Sequence, residues 1–163
     1  MKKILTLLAS TGLVATTSAT VVSCENVKSL TFAEGMDAAK LINASDVLKE
    51  NIAEGKLIAD FKDDEYKSNN SDIKIKGKVT GTEITTIANM ETLYSMFNET
   101  KDLKNEVTSI LDMTVYGMSV AGKKDATSFK LYVVKTTTKI SEKGKGTITF
   151  KNVFSLKIDI PQS

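Results

Sequence analysis

The final third of the chain consists of three long runs rich in β-branched and aromatic residues, Met113 to Val120, Ser128 to Ile140 and Thr147 to Ile160. Between them lie two turn-forming stretches, Ala121-Gly122-Lys123-Lys124-Asp125 and Ser141-Glu142-Lys143-Gly144-Lys145-Gly146. Two turn signals between three strands predict a β-meander, and any fold for this chain has to be built around it. In the last run Ile148, Phe150, Phe154, Leu156, Ile158 and Ile160 share one parity, which places them together on one face. Only Asn152 and Val153 disturb that alternation, as residues at a bulge do. The middle run changes parity, from Phe129, Leu131 and Val133 to Val134, Thr136, Thr138 and Ile140, and a bulge near Val133 and Val134 reconciles its halves. The single proline, Pro161, falls beyond the last strand, where its missing N–H does no harm.

Upstream of the meander the apolar period lengthens. Thr31 to Glu54 carries Phe32, Met36, Leu41, Ile42, Val47, Leu48 and Ile52 at helical spacings. Asn43-Ala44-Ser45-Asp46 interrupts it with cap-forming residues, so this segment reads as one helix or as two, the second started by Asn43 or Ser45 and stopped by Gly55. Leu57 to Phe61 reads as a short strand and Asp63 to Asp72 as a polar loop. Ile73-Lys74-Ile75-Lys76-Gly77-Lys78-Val79 alternates strictly, predicting a half-buried strand with Ile73, Ile75 and Val79 inward. From Thr86 to Asp112, Ile87, Met90, Leu93, Tyr94, Phe97, Leu103, Val107, Ile110 and Leu111 return to helical spacing, with Thr100 and Asp102 marking a break. The expected fold class is α+β: N-terminal helices and one long central helix packed on an antiparallel sheet that ends in the three-stranded meander, its other face polar.

The residue inventory excludes much chemistry. Lys plus Arg total 22 and all are Lys, against 20 acidic residues, with no His, no Trp and one Cys. Without His there is no imidazole base, no triad and no ordinary zinc site. Without Arg there is no bidentate phosphate fork and no arginine finger. Carboxylates, Lys, Tyr and hydroxyls remain.

The N-terminus reads as a targeting signal. Lys2 and Lys3 precede a short apolar core, Ile4 to Ala15, and the segment runs through Val21-Val22-Ser23 into Cys24, the only cysteine. This resembles a lipobox, with Val21 where Leu is usual; the resemblance implies diacylglyceryl transfer to the Cys24 thiol and cleavage between Ser23 and Cys24. The alternatives are a buried core cysteine behind a hydrophobic helix, or an uncleaved anchor. Ile4 to Val22 just reaches the ~20 residues of a membrane span, but it is diluted by Thr6, Ser10, Thr11, Thr16, Thr17, Ser18 and Thr20. Two fatty chains hold a protein to a membrane stably where one does not. The division is therefore a signal peptide at 1–23, a lipidated cysteine with a short tether at 24–30 and one extracellular domain at 31–163. Removing Lys2 and Lys3 leaves basic and acidic side chains equal in number, so net charge makes no case for nucleic acid.

Other candidate sites compete with plainer readings. Asp60, Asp63, Asp64, Glu65 and Asp72 supply oxygens of the kind calcium needs, but they lack the EF-hand glycine and closing glutamate, and Lys62 and Lys67 compete for them; a solvated loop is the simpler reading. Ser71-Asp72-Ile73-Lys74 matches Ser-x-x-Lys, yet it enters a predicted strand rather than a helix and has no Ser-Asp-Asn or Lys-Thr-Gly partner. Lys74, Lys76 and Lys78 fit either anionic headgroups or the protection of an edge strand. Glu91, Glu99, Asp102, Glu106 and Asp112 read as solubilising charges of the central helix rather than a glycosidase pair, and Met90, Met96, Met113 and Met118 as gap-filling core.

The leader MKKILTLLASTGLVATTSATVVSC looks like that of surface lipoproteins of wall-less bacteria (mollicutes), the spiralin-type lipoproteins among them, and GKGTITFKNVFSLKIDI is more weakly similar to the strands that end spiralin-like domains. The resemblance implies a membrane-anchored lipoprotein on the extracellular face of the cell membrane, processed by diacylglyceryl transferase and lipoprotein signal peptidase. It implies a non-catalytic coat, adhesion or host-contact role with a host or surface protein as partner, and no cofactor or metal. The alternative is a small ligand-binding or accessory subunit of a membrane complex.

Overall fold

The computed structural model of the protein describes residues 27–162. The meander forms strands β7 (Asp112–Ala121), β8 (Ser128–Ile140) and β9 (Gly146–Asp159), paired antiparallel in that order. Each outer strand is extended by two short ones. Beside β9 run β1 (Lys28–Ser29) and β4 (Ile73–Lys76), both parallel to it; beside β7 run β5 (Thr82–Glu83) and β6 (Glu106–Ser109), both antiparallel. A separate hairpin pairs β2 (Ile52–Ala53) with β3 (Lys56–Leu57). The helices are short: α1 (Ala38–Asn43), α2 (Asp46–Asn51) and α3 (Met90–Ser95).

This overturns the α+β expectation. The fold is mostly β, a curled mixed sheet of 7 strands with 13% helix, and it has no long central helix. The segment expected to form that helix is helical only across α3, because its polar residues satisfy backbone groups elsewhere. Thr100, fully buried, bonds through its hydroxyl to the Tyr94 carbonyl at 2.6 Å and closes the end of α3. Asn98 Nδ2 bonds to the Phe32 carbonyl at 3.1 Å. Such side-chain bonds offer the backbone an alternative to the helix ladder. Downstream, Val107 and Ile110 stay 61% and 49% exposed, so their helical spacing corresponds to no buried face. The sheet is mixed rather than antiparallel because β1 and β4 reach β9 by crossovers. Lys28 and Ser29, read from sequence as tether, are already strand, and Leu30 is core.

At 31–54 two helices form. Asp37 caps α1 by accepting from the Lys40 N–H, and Ser45 caps α2 by accepting from the Leu48 N–H. Gly55 takes φ +69° where the chain turns into β3.

The meander is covered on both faces, in different halves. On β8, Phe129, Leu131 and Val133 enter one core, with Leu41, Leu48, Leu93 and Phe97 from the helical layer. Val134 and Tyr132 point the opposite way into a second, smaller core with Val79, Ile148, Phe150 and Tyr66. No bulge interrupts β8; the parity change marks where the cover switches sides. The bulge lies in β9. Val133 pairs with Phe154 and Val134 with Asn152, leaving Val153 as the extra residue. Ile148 and Phe150 therefore face the second core, whereas Ile158 faces the first, although all share one parity. Gly81 lets the crossing chain approach β7: its φ is +82° and a Cβ there would fall 2.1 Å from the Val120 carbonyl oxygen.

Candidate functional site

Below the bulge, the face of the meander that carries the first core has no helical cover among the described residues, and the register dictates what it displays. Tyr116, Lys135 and Lys151 form one cross-strand row. The next row is Thr114, Thr137, Thr149 and Lys76, and the third is Asp112, Lys139, Thr147 and Lys74. The result is a threonine-floored face bordered by lysines.

A cleft of about 550 Å³ opens where this face meets the covered region. Lys28 of β1, the β9 residues from Lys151 to Phe154, Tyr116 of β7 and Lys135 of β8 line it, together with Leu103. Lys135 Nζ lies over the Tyr116 ring, 6.0 Å from its centroid. The Tyr116 main chain lies in the gap between β5 and β6 along the edge of β7, and side chains complete its ladder. Its N–H donates to Asn105 Oδ1 at 2.9 Å, and its carbonyl accepts from the Tyr94 hydroxyl at 2.5 Å. Burial pushes the Tyr94 hydroxyl up to about 12, so it remains a donor. Among the described residues, none lining the cleft is acidic.

A second cluster lies under the 61–81 segment. Tyr66 stacks on Phe150, and its hydroxyl lies beside the Glu83 carboxyl. Burial pushes the Glu83 carboxyl up to about 8, and the charge of Asp64 adds to the rise. Burial also raises the Tyr66 hydroxyl.

The residues singled out from sequence are scattered. Val21, Val22, Ser23 and Cys24 lie outside the described residues. Asp60 accepts from the Lys124 N–H at 2.9 Å, and Glu65 pairs with Lys67 at 3.3 Å. Asp63 pairs with Lys78 and accepts from the Gly81 N–H, which together hold its carboxyl below the usual range. Among the described residues no group of three or more His, Cys, Asp or Glu could hold a metal ion. Ser71 is exposed in the turn before β4. Lys74 and Lys76 lie on the open face, but β4 ends at Lys76, and Lys78 turns to Asp63 instead. Glu91 belongs to α3, Glu106 to β6 and Asp112 to β7, while Glu99 accepts from the Thr31 N–H and hydroxyl at 2.8 and 2.7 Å. Met96, Met113 and Met118 are buried.

Sequence reading missed the cleft. Lys28 reads as tether in the sequence, and Lys135 follows the parity change in β8, where no pattern sets it apart. The one available signal is that Lys151 lies on the polar parity of its strand, and Lys135 on the polar parity of the second half of its own. No family model matches the chain, and neither a curated protein nor a solved structure matches it.

Proposed function

We propose that the chain is a bacterial surface lipoprotein, held on the extracellular face of the cell membrane by a diacylglyceryl group on Cys24. Its role is a non-catalytic one in coat, adhesion or host contact. The observation that carries the proposal is the leader, with Lys2 and Lys3, an apolar core and Val21-Val22-Ser23-Cys24 placed directly before the folded domain. Only Glu25, Asn26 and Val27 separate Cys24 from β1, so the domain would sit on the membrane surface rather than on a stalk. No helix among the described residues is long and apolar enough to cross a membrane.

The test is the intact mass of the Cys24 peptide together with detergent phase partition. A diacylglyceryl adduct on an N-terminal Cys24 is expected, with the protein in the detergent phase and Cys24→Ala in the aqueous phase or unprocessed. A wild-type protein cleaved elsewhere, or carrying a free Cys24 thiol, would refute the proposal. The second reading, a ligand-binding or accessory subunit, is favoured by the cleft beside β1.

A further inference from the structure

We infer that the chain pairs with a second copy of itself through the outer edge of β6, the two strands running antiparallel about a two-fold axis at Asn105.

β6 is the open edge of the sheet. It is bonded to β7 along one side only, and every one of its residues is exposed. Among the described residues, nothing bonds the backbone groups that β6 turns away from β7. Such a row of donors and acceptors is a template for another strand, and proteins ordinarily blunt it with lysines, very short strands or bulges. The other bordering strands are blunted in that way. β1 and β5 have two residues each, and β4 alternates Ile73-Lys74-Ile75-Lys76. β6 carries no lysine. Its one irregularity, the extra residue Thr108, disturbs the end toward the turn and leaves the stretch up to Val107 available, with Val107 itself 61% exposed.

That stretch is complementary to itself. Lys104 and Glu106 are both exposed, and among the described residues neither is ion-paired. They flank Asn105 symmetrically. In an antiparallel pair centred on Asn105, Lys104 of each copy stands directly opposite Glu106 of the other, and Leu103 opposite Val107. A two-fold axis makes each of these contacts twice. Asn105 leaves the axis clear, because its side chain turns back into its own chain: Oδ1 accepts from the Tyr116 N–H at 2.9 Å and Nδ2 lies 3.1 Å from Met90 Sδ. Centring the pair one residue later would set Glu106 against itself, where like charges repel, so charge selects the register.

A strand contact this short buries less than the roughly 1,200 Å² of a stable interface, so the dimer is weak in dilute solution and fills at high local concentration. The axis stands perpendicular to the joined sheet and keeps corresponding residues of both copies at one height. Copies held in one membrane by the proposed Cys24 anchor can therefore meet side by side, although the strand contact itself does not depend on that anchor.

The test uses full-length protein purified in detergent. Isotopically light and heavy copies are mixed, concentrated and coupled with a zero-length carbodiimide, and mass spectrometry is expected to find a Lys104–Glu106 amide joining a light copy to a heavy one. Sedimentation equilibrium from about 1 μM to 1 mM should show monomer giving way to dimer. Lys104→Glu and Glu106→Lys should each weaken the dimer by about ten-fold or more, since each turns two opposed pairs into two like ones. Placing both substitutions in one chain should restore the dimer, and an equal mixture of the two single variants should form heterodimers. Melting temperatures matching wild type confirm that the variants are folded, as expected for exposed, unpaired positions. A protein monomeric throughout that range overturns the inference, and so does a dimer that neither reversal weakens or that the double exchange fails to restore. The Cys24 peptide is read in the same spectra; an unmodified Cys24 refutes the anchor alone, because the dimer is measured in detergent.

Discussion

Tyr66 lays its ring on Phe150, with centroids 4.8 Å apart and planes inclined by 27°, and sets its hydroxyl beside the Glu83 carboxyl. One side chain thus ties the 61–81 segment to β9 and brings it against β5. Tyr66→Phe keeps the stack and loses the polar contact with Glu83, and is expected to cost about 1 kcal/mol. Tyr66→Ala removes both and is expected to cost roughly 2–4 kcal/mol. Urea unfolding of both variants checks this, and equal costs would show that the ring contributes nothing.

Glu83 gives folding stability a pH dependence of defined sign. Its carboxyl ordinarily titrates near 4.5 and burial raises it to about 8 in the folded chain, so between those values the folded state holds a proton that the unfolded state has released. The associated stability is complete below the lower value and is lost as pH rises toward the upper one, a fall on the order of a few kcal/mol at most. Asp63 acts in the opposite sense and at acid pH: its carboxyl is held below 3.8 by Lys78 and the Gly81 N–H, so its contribution is lost as pH falls. Urea midpoints measured between about pH 5 and pH 8 should decline, and Glu83→Gln should flatten the decline. A wild-type midpoint that rises across this range would exclude Glu83 as the controlling group.

Two buried hydroxyls fix the ends of helices that are too short to persist alone. Ser45 accepts from the Leu48 N–H at 3.4 Å and starts α2; Thr100 bonds to the Tyr94 carbonyl and ends α3. Ser45→Ala is expected to cost about 1 kcal/mol, and Thr100→Val, which leaves a buried carbonyl short of a partner, about 1–3 kcal/mol. Thermal melts of the two variants check the order. A Thr100→Val variant as stable as wild type would mean that water replaces the hydroxyl.

The meander was legible because its signals are local: β-branched runs of strand length, two turn stretches, and alternation that survives folding. The helical layer was legible only in part. Leu93 and Phe97 do enter the core, but a spacing of three and four also arises where a short helix is followed by loop and strand, and Val107 belongs to β6 with its side chain exposed. Which face each apolar residue covers was not legible. The strict parity of Ile148, Phe150, Leu156 and Ile158 looks like one buried stripe; the bulge at Asn152 and Val153 was legible, but only pairing with β8 reveals that it divides the stripe between two cores. The cleft was hidden for the same reason, since it depends on which strands lie beside β9, a non-local property. Lys28 shows this most clearly, because it joins the cleft through a parallel pairing with a strand at the other end of the chain.

That division makes Val153 the most informative position for the fold. Above it, Leu156 and Ile158 pair with Leu131 and Phe129 over the first core; below it, Ile148 and Phe150 pair with Thr138 and Thr136 over the second. Deleting Val153 removes only the unpaired residue: Asn152 stays opposite Val134, Phe154 opposite Val133, Leu156 opposite Leu131 and Ile158 opposite Phe129, so every side chain keeps its face and the ladder becomes regular. Inserting one alanine between Phe154 and Ser155 does the opposite: Leu156 and Ile158 must then turn out of the first core or slip by one residue against β8, because strand side chains alternate with period two. Each fully buried aliphatic side chain turned to water costs roughly 1.5–3 kcal/mol, so losing two or more removes a large share of the stability of a small domain. The insertion is expected to abolish cooperative unfolding, whereas the Val153 deletion, which preserves the register, should unfold cooperatively. Calorimetry of the pair decides. An insertion variant that melts as cooperatively and as high as the deletion variant would refute the two-core register.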